Sequence, residues 1–219
     1  MEKVKKGPYT LFFKRAIDIL CSLMILLLFF WLYVLIAIMV RVKMGSPVLF
    51  KQERPGKIDP KTGKEKIFCL YKFRTMTDAK GDKGELRPDS ERLTPFGAWL
   101  RKTSLDEIPE ALNILRGDMS LIGPRPLLVK YLDRYSEEQH HRHDVRPGLT
   151  GYAQTHGRNN VSWEDRFAMD VWYTKNITFF GDIKIILDTI KIVLKHEGIS
   201  SETSVTMEEF NGTSEGVKT

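Results

Sequence analysis

From Ile19 to Val40 the chain carries 22 consecutive residues without a charge, rich in Leu, Ile, Phe and Met. As one helix such a run is about 33 Å long, close to the hydrocarbon thickness of a bilayer. A core helix of a soluble protein normally shows a polar face, and this run offers only Ser22. The length of the apolar stretch, and the lack of a small-residue cleavage site before Arg41-Val-Lys43, exclude a cleaved leader. The sequence therefore predicts a membrane helix over residues 14–43, behind a basic segment at residues 1–13. Lys3, Lys5, Lys6, Lys14 and Arg15 precede the run, and Arg41, Lys43 and Lys51 follow it. Positive charge marks the cytoplasmic side, and here both ends carry it. A helix that enters the bilayer, bends and returns to the same face satisfies both ends; a spanning helix satisfies one. Asp18, at the head of the run, reads as an interfacial helix start or cap.

Beyond the run the chain is an ordinary folded protein. Its 219 residues are 42% hydrophobic and 28% charged, which excludes wholesale disorder. The mean hydropathy of −0.26 excludes a polytopic membrane protein. Charge is unevenly spread: +3 over residues 1–40, +7 over 41–101 and −4 over 102–219. A basic excess beside an apolar helix favours a membrane surface or a phosphate-rich substrate, and no nucleic acid is expected as partner. Cys21 and Cys69 make neither a disulfide framework nor a metal set, so a reducing compartment is expected.

The remaining pattern predicts an α+β fold: the re-entrant membrane helix, a small β-hairpin, and several helices including interfacial amphipathic ones. Gly45-Ser-Pro47 breaks the first helix, and Val48–Gln52 and Ile67–Tyr71 read as strands joined by a long basic loop, Glu53 to Lys66. Thr77 to Arg92 is polar and is expected to be mobile. Thr94-Pro95 starts one helix; a second start at Ser104 to Asp106 leads into Ile108–Leu115, which Gly117 ends. Leu121-Ile-Gly-Pro-Arg-Pro126 is a rigid loop, Leu127 to Glu138 is predicted helical, and Val145 to Gly151 is a loop. Ile183, Ile186, Leu187, Ile190, Val193 and Leu194 make one stripe of an amphipathic helix, facing either a core or an interface. Residues 44–199 are predicted to be a cytoplasmic catalytic domain, and the acidic, small-residue-rich residues 200–219 a disordered tail.

Candidate chemistry falls between Lys72 and Asp170. Asp106 and Glu107 are adjacent carboxylates preceded by Arg101 and Lys102. One reading is a capping box, Ser104 with Glu107. Pro109 disfavours it, because with Asp106 as the cap the proline falls harmlessly in the first turn. A carboxylate there would be held ionised by backbone N–H groups, as suits a nucleophile or a metal ligand. Arg125 between Pro124 and Pro126 is a fixed guanidinium, suited to a phosphate or to a structural salt bridge. Lys72 and Arg74, at the end of the second strand, suit phosphate or headgroups. His140, His141 and His143 lie in a wholly polar run, Glu137 to His143, and are expected on a solvated helix end.

Six ordered motifs identify a resemblance. They are Lys14-Arg-x-x-Asp18, Pro47-Val-x-Phe-x-Gln52, Lys72-Phe-Arg-Thr-Met76, Thr103-Ser-Leu-Asp-Glu-Ile-Pro109, Gly117-Asp-Met-Ser-Leu-Ile-Gly-Pro-Arg-Pro126 and Arg146-Pro-Gly-Leu-Thr-Gly-Tyr-Ala-Gln154. Over roughly residues 12–198 the chain resembles the bacterial sugar transferases known as monotopic phosphoglycosyl transferases, in their minimal catalytic form. The resemblance implies transfer of a sugar-1-phosphate from a UDP-sugar to undecaprenyl phosphate, with release of UMP. Such enzymes initiate exopolysaccharide, capsule, lipopolysaccharide or glycoprotein assembly at the cytoplasmic face of the bacterial inner membrane, whose lipid is a further partner; a second copy of the chain is another.

By the same resemblance, Asp106 is the catalytic nucleophile that takes up the phosphosugar, and Glu107 is associated with Mg²⁺. Arg101 and Arg125 bind phosphate, Lys72 and Asp170 belong to the same polar site, and Arg146, Pro147 and Gly148 lie on a substrate-binding loop. One departure stands out: the family's membrane helix usually bends at a Ser-Pro pair, whereas this chain has Leu28-Phe-Phe-Trp-Leu32 and no proline between Pro8 and Pro47. A straight spanning helix is thus the alternative to re-entry, and a catalytically silent membrane adaptor the alternative to the enzyme.

Overall fold

The computed structural model of the chain describes residues 7–157, 161–195 and 209–212. A π-helical turn, Tyr9–Phe13, runs into α1 (Lys14–Leu28), and α2 (Phe30–Met44) begins one residue later. Between the two arms the helix axis bends by 63°. The bend rests on Phe29, at φ −102° and ψ 14°, outside the helical region. It falls within the Leu28–Leu32 stretch and needs no proline. No single described helix is long and apolar enough to cross a membrane, but the bent pair is, by length and composition. Both of its ends return to the same body of protein. At the base of α1, Lys14 Nζ lies 2.6 Å from Asp182, and Arg15 donates to the carbonyls of Ile114 and Leu115 at 2.7 and 3.0 Å. At the end of α2, Val40 and Met44 are buried with Phe73 and Leu100.

Asp18 corrects the sequence reading. It neither starts nor caps a helix: it lies within α1, buried, and accepts hydrogen bonds from Ser120 Oγ at 3.0 Å and Leu121 N–H at 2.9 Å. The carboxylate fastens α1 to a strand more than a hundred residues away. Asp18→Ala strands a buried donor and is expected to destabilise the protein by about 1–3 kcal/mol, read as a lowered Tm in detergent, with Asp18→Asn less affected.

The hairpin is longer than predicted. β1 (Leu49–Ile58) and β2 (Glu65–Phe73) pair antiparallel, with Leu49 opposite Phe73, and absorb most of the expected loop. Pro55 and Gly56, inside the expected loop, sit at a register irregularity between Pro55 and Ile58, the kind of place where a strand tolerates proline. Only Asp59–Lys64 turns, closed by the Asp59 N–H on the Lys64 carbonyl at 2.9 Å.

The segment Thr77–Arg92 folds back on itself through bridges between Met76 and Leu93 and between Lys80 and Leu86, ending in a short α3 (Asp89–Arg92). α4 (Pro95–Lys102) starts as expected, with Thr94 Oγ accepting from the Gly97 N–H at 2.9 Å. α5 (Glu110–Arg116) ends at Gly117, whose φ of 90° requires glycine. β3 (Ser120–Ile122) and β4 (Gly148–Thr150) pair in parallel.

The predicted helix over Leu127–Glu138 is instead a 3₁₀ stretch, Val129–Arg134, and a separate α6 (Glu137–His140). Extended Tyr135 divides them, and Ser136 with Gln139 forms a capping box that starts α6 afresh. α7 (Tyr152–His156), α8 (Trp163–Lys175) and α9 (Phe179–Lys195) complete the body. α9 buries Asp182 and Ile185 but leaves Phe180, Leu187, Ile190 and Leu194 exposed. That apolar remainder favours the interfacial reading over a purely core-facing one. Most of the acidic tail lies outside the described residues, but Phe210, within it, is buried against Tyr131 and Phe167 and departs from the expectation of disorder.

Candidate active site

Ser104, Asp106 and Glu107 do not form the expected cap. Ser104 is left-handed (φ 55°) and caps nothing with its side chain; Leu105–Glu107 is a 3₁₀ turn, and α5 starts only at Glu110. The turn places the two neighbouring carboxylates in opposite surroundings. Glu107 Oε1 is gripped by Lys72 Nζ at 2.5 Å and by Arg125 Nη2 at 2.8 Å. Burial alone would raise its pKa, but these two cations prevail and hold it down at about 2. Asp106 is only 8% exposed, and among the described residues no hydrogen bond ends on its carboxylate. Burial, with the charge of Glu107 added, pushes it up to about 6 against Lys72, Arg101 and Arg125. The expectation that backbone N–H groups hold Asp106 ionised is thus corrected, because the cap that would supply them does not form.

Glu110 is a member of this cluster that sequence reasoning missed. Its carboxylate lies 3.0 Å from Lys72 Nζ, and burial followed by the charge of Glu107 raises it to about 7. The available signal was its spacing: three residues after Glu107, with Pro109 between them fixing the turn. Lys72, at the end of β2, therefore bridges two acids.

Arg125 stands in its loop with its side chain 45% exposed, so one side of the guanidinium faces out while Nη2 holds Glu107. Three contacts hold the loop. Arg142 Nη2 donates to the Arg125 carbonyl at 2.8 Å, and Arg54 donates to the Pro126 carbonyl at 3.2 Å. The Gly148 N–H donates to the Pro124 carbonyl at 2.9 Å. A Cβ on Gly148 would stand 2.1 Å from the Gly123 nitrogen, so only glycine permits this approach.

Not every predicted residue reaches the cluster. Arg74 turns away from it, bonding the Ser46 and Met76 carbonyls at 2.9 Å each and Asp78 at 2.6 Å. Arg101 bonds Thr75 Oγ1 at 3.1 Å and reaches Asp106 by charge. Asp170 Oδ2 is held by Arg142 at 2.7 Å, behind the Arg125 loop. Arg146 bonds the Gly117 carbonyl at 2.9 Å, and Pro147 accepts from the Ser120 N–H at 2.8 Å, so both brace the loop's frame. The solvated helix end is wrong for Arg142 and His143, which are buried; His143 Nδ1 meets the Gly56 carbonyl at 3.1 Å. A polar composition hid them, because an arginine sunk beside an aspartate looks in sequence like one in water.

Residues 9–196 match the family described as bacterial sugar transferase. The chain belongs to that family. A Bacillus subtilis relative named as the uncharacterized sugar transferase EpsL is 52% identical over 197 residues, covering 90% of this chain and 92% of its own length. The undecaprenyl-phosphate galactose phosphotransferase of Salmonella typhimurium is 36% identical over 85% of this chain. The undecaprenyl-phosphate glucose phosphotransferase of Komagataeibacter xylinus is 37% identical over 81% of it. The transferase spans 41% and 35% of the length of those two relatives.

Proposed function

We propose that this phosphoglycosyl transferase moves a sugar-1-phosphate from a UDP-sugar to undecaprenyl phosphate at the cytoplasmic face of the bacterial inner membrane, in two steps. An Asp106 carboxylate oxygen attacks the β-phosphorus; a new O–P bond forms, the bond from the β-phosphorus to the bridging oxygen breaks, and UMP leaves with the electron pair. The phosphate oxygen of the lipid then attacks the same phosphorus, the aspartyl O–P bond breaks, and the carboxylate is regenerated. The observation that carries this reading is the contrast between two adjacent acids. Glu107 is locked as an anion by Lys72 and Arg125, while Asp106 is buried with its oxygens unclaimed among the described residues. A largely buried carboxylate that accepts no hydrogen bond is a stronger nucleophile than a fully solvated one.

A diphosphate repels an attacking carboxylate, so cations must gather first. Arg125 offers its outward side, and Arg101 and Lys72 border Asp106. The donor set also fits a hard cation. Among the described residues no three ligating side chains converge, and Mg²⁺ needs none, because it takes one or two carboxylates and completes its shell with water and substrate phosphates. Glu107 is the residue that would hold it, and when bound it would neutralise diphosphate charge. EDTA is therefore expected to abolish turnover and Mg²⁺ to restore it; full activity in EDTA would remove Glu107 from that role.

The lipid acceptor presents its phosphate at headgroup level, which fits a site carried on a re-entrant helix pair with α9 along the interface. A screen of purified UDP-sugars with undecaprenyl phosphate and Mg²⁺, read as released UMP, tests the reaction and names the sugar. No release from any UDP-sugar would favour the silent adaptor.

A further inference from the structure

The buried Phe210 lies behind the Arg125 loop. In an otherwise acidic and small-residue tail it is the only aromatic residue after Phe180. Its ring meets Phe167 at 4.9 Å between centroids, Tyr131 and Trp163 at 5.7 Å, and Tyr135 at 5.9 Å. Polar contacts fix the backbone around it. The Phe210 N–H donates to Tyr131 Oη at 3.2 Å, and the Phe210 carbonyl accepts from Arg134. Glu209 is held by Lys130 at 2.6 Å and Arg134 at 2.8 Å. An acidic–aromatic pair thus fills a box whose floor is aromatic and whose rim is basic.

The box has a second occupant. The Arg142 guanidinium lies 5.6 Å from the Tyr135 ring and 5.5 Å from the Phe167 ring, on the same two aromatics that Phe210 packs against. Arg142 is the residue that grips the Arg125 carbonyl and Asp170. Leu127 and Leu128, which directly follow Arg125-Pro126, pack against the same cluster. Two routes therefore join Phe210 to Arg125: one through ring–guanidinium contacts and Arg142, the other through the apolar residues that leave the loop. Among the described residues the ring's neighbours do not include Asp106 or Glu107, so its influence is on position only.

We propose that the C-terminal Glu209-Phe210 pair is a docked latch that holds the Arg125 loop in its phosphate-binding position, which makes Phe210 a positioning residue for the transfer reaction. The proposal rests on Arg125 meeting the diphosphate, as in the function proposed above. With the latch withdrawn, Tyr135 and Phe167 lose one wall, and Arg142 and the loop gain freedom. The loss falls on ground-state binding, since the nucleophile is untouched.

The test uses the full chain carrying Phe210→Ala, compared with wild type and supplemented with a synthetic peptide of residues 205–214. Amide exchange over residues 121–128, followed by mass spectrometry, is expected to rise in Phe210→Ala and to fall back when peptide is added. KM for the UDP-sugar is expected to rise about tenfold with kcat nearly unchanged, and peptide, but not its Phe210→Ala version, is expected to restore it. A variant that loses thermal stability, with neither measurement restored by peptide, would overturn the proposal in favour of a purely structural role. So would peptide binding, seen as fluorescence anisotropy, that leaves loop exchange and KM unmoved. The exchange and anisotropy arms do not depend on turnover. A wild type that releases no UMP while both arms behave as expected would count against the reaction, and the latch would stand.

Discussion

Asp106→Asn is expected to lower turnover by at least about 10⁴-fold while leaving the protein folded and membrane-bound. Only the attacking charge is removed; the shape and the neighbouring Glu107, Lys72 and Arg125 remain. Intact-mass measurement with UDP-sugar alone should show a phosphosugar adduct on the wild type and none on the variant. Near-normal turnover by the variant would end the covalent mechanism. Stability gives an independent reading. The Asp106 carboxyl is raised to about 6, mainly by burial and then by Glu107. Between the ordinary carboxylate range and that value the folded state holds a proton that the unfolded chain has lost, so stability falls as pH rises through the window. Asparagine removes this cost. Without divalent metal at pH 7.5, Asp106→Asn is expected to raise Tm by about 2–4 °C, an advantage that disappears below about pH 4. Wild-type turnover is expected to fall as pH drops through 6, where the nucleophile takes up its proton.

Arg125→Lys should be nearly as damaging although the charge is kept, with kcat/KM reduced by about 10²–10³-fold. A guanidinium can give one edge to Glu107 and another to a phosphate, whereas an ammonium is a single point and must choose. Because Glu107 is the nearest anion, a lysine here is expected to stay with it and leave the diphosphate uncovered. The loss should be largest at low ionic strength, where the substrate's charge is least screened. A variant within threefold of wild type would show that Arg125 serves Glu107 alone.

Some of this architecture was legible before any fold was known, and the reasons differ residue by residue. The Thr94 cap and the Gly117 stop are local chemistry, set by side-chain oxygens and by an available φ, and they appeared where expected. The acidic pair and Arg125 were legible because charged residues between prolines or at a turn have few structural uses. Arg74 lies apart from the cluster for a reason spacing hides: Lys72 and Arg74 share a face by strand alternation, but β2 ends at Phe73, and Arg74 turns toward Ser46 and Asp78. Glu110, Arg142 and Phe210 were invisible for a common reason. Each acts through a partner far away in sequence, and composition in a short window reports solvation, not the company a side chain finds when folded. Lys14, Arg15 and Asp18 carry the same lesson in reverse: two charges taken as topology signals and one taken as a cap are all bonded to the body of the protein.

The Arg15 contact has a mechanical meaning. It ties the base of α1 to the end of α5, the short helix whose opposite end carries Glu110 beside Asp106 and Glu107. With Asp18 holding β3 to the same arm, the bent helix pair and the acidic cluster are joined by direct contacts. On the function proposed above, the height of Asp106 over the lipid would follow from how deep the bent helices sit. On that reading a lipid-borne phosphate meets the site without leaving its leaflet, and the encounter between enzyme and carrier becomes a search in a plane at constant height.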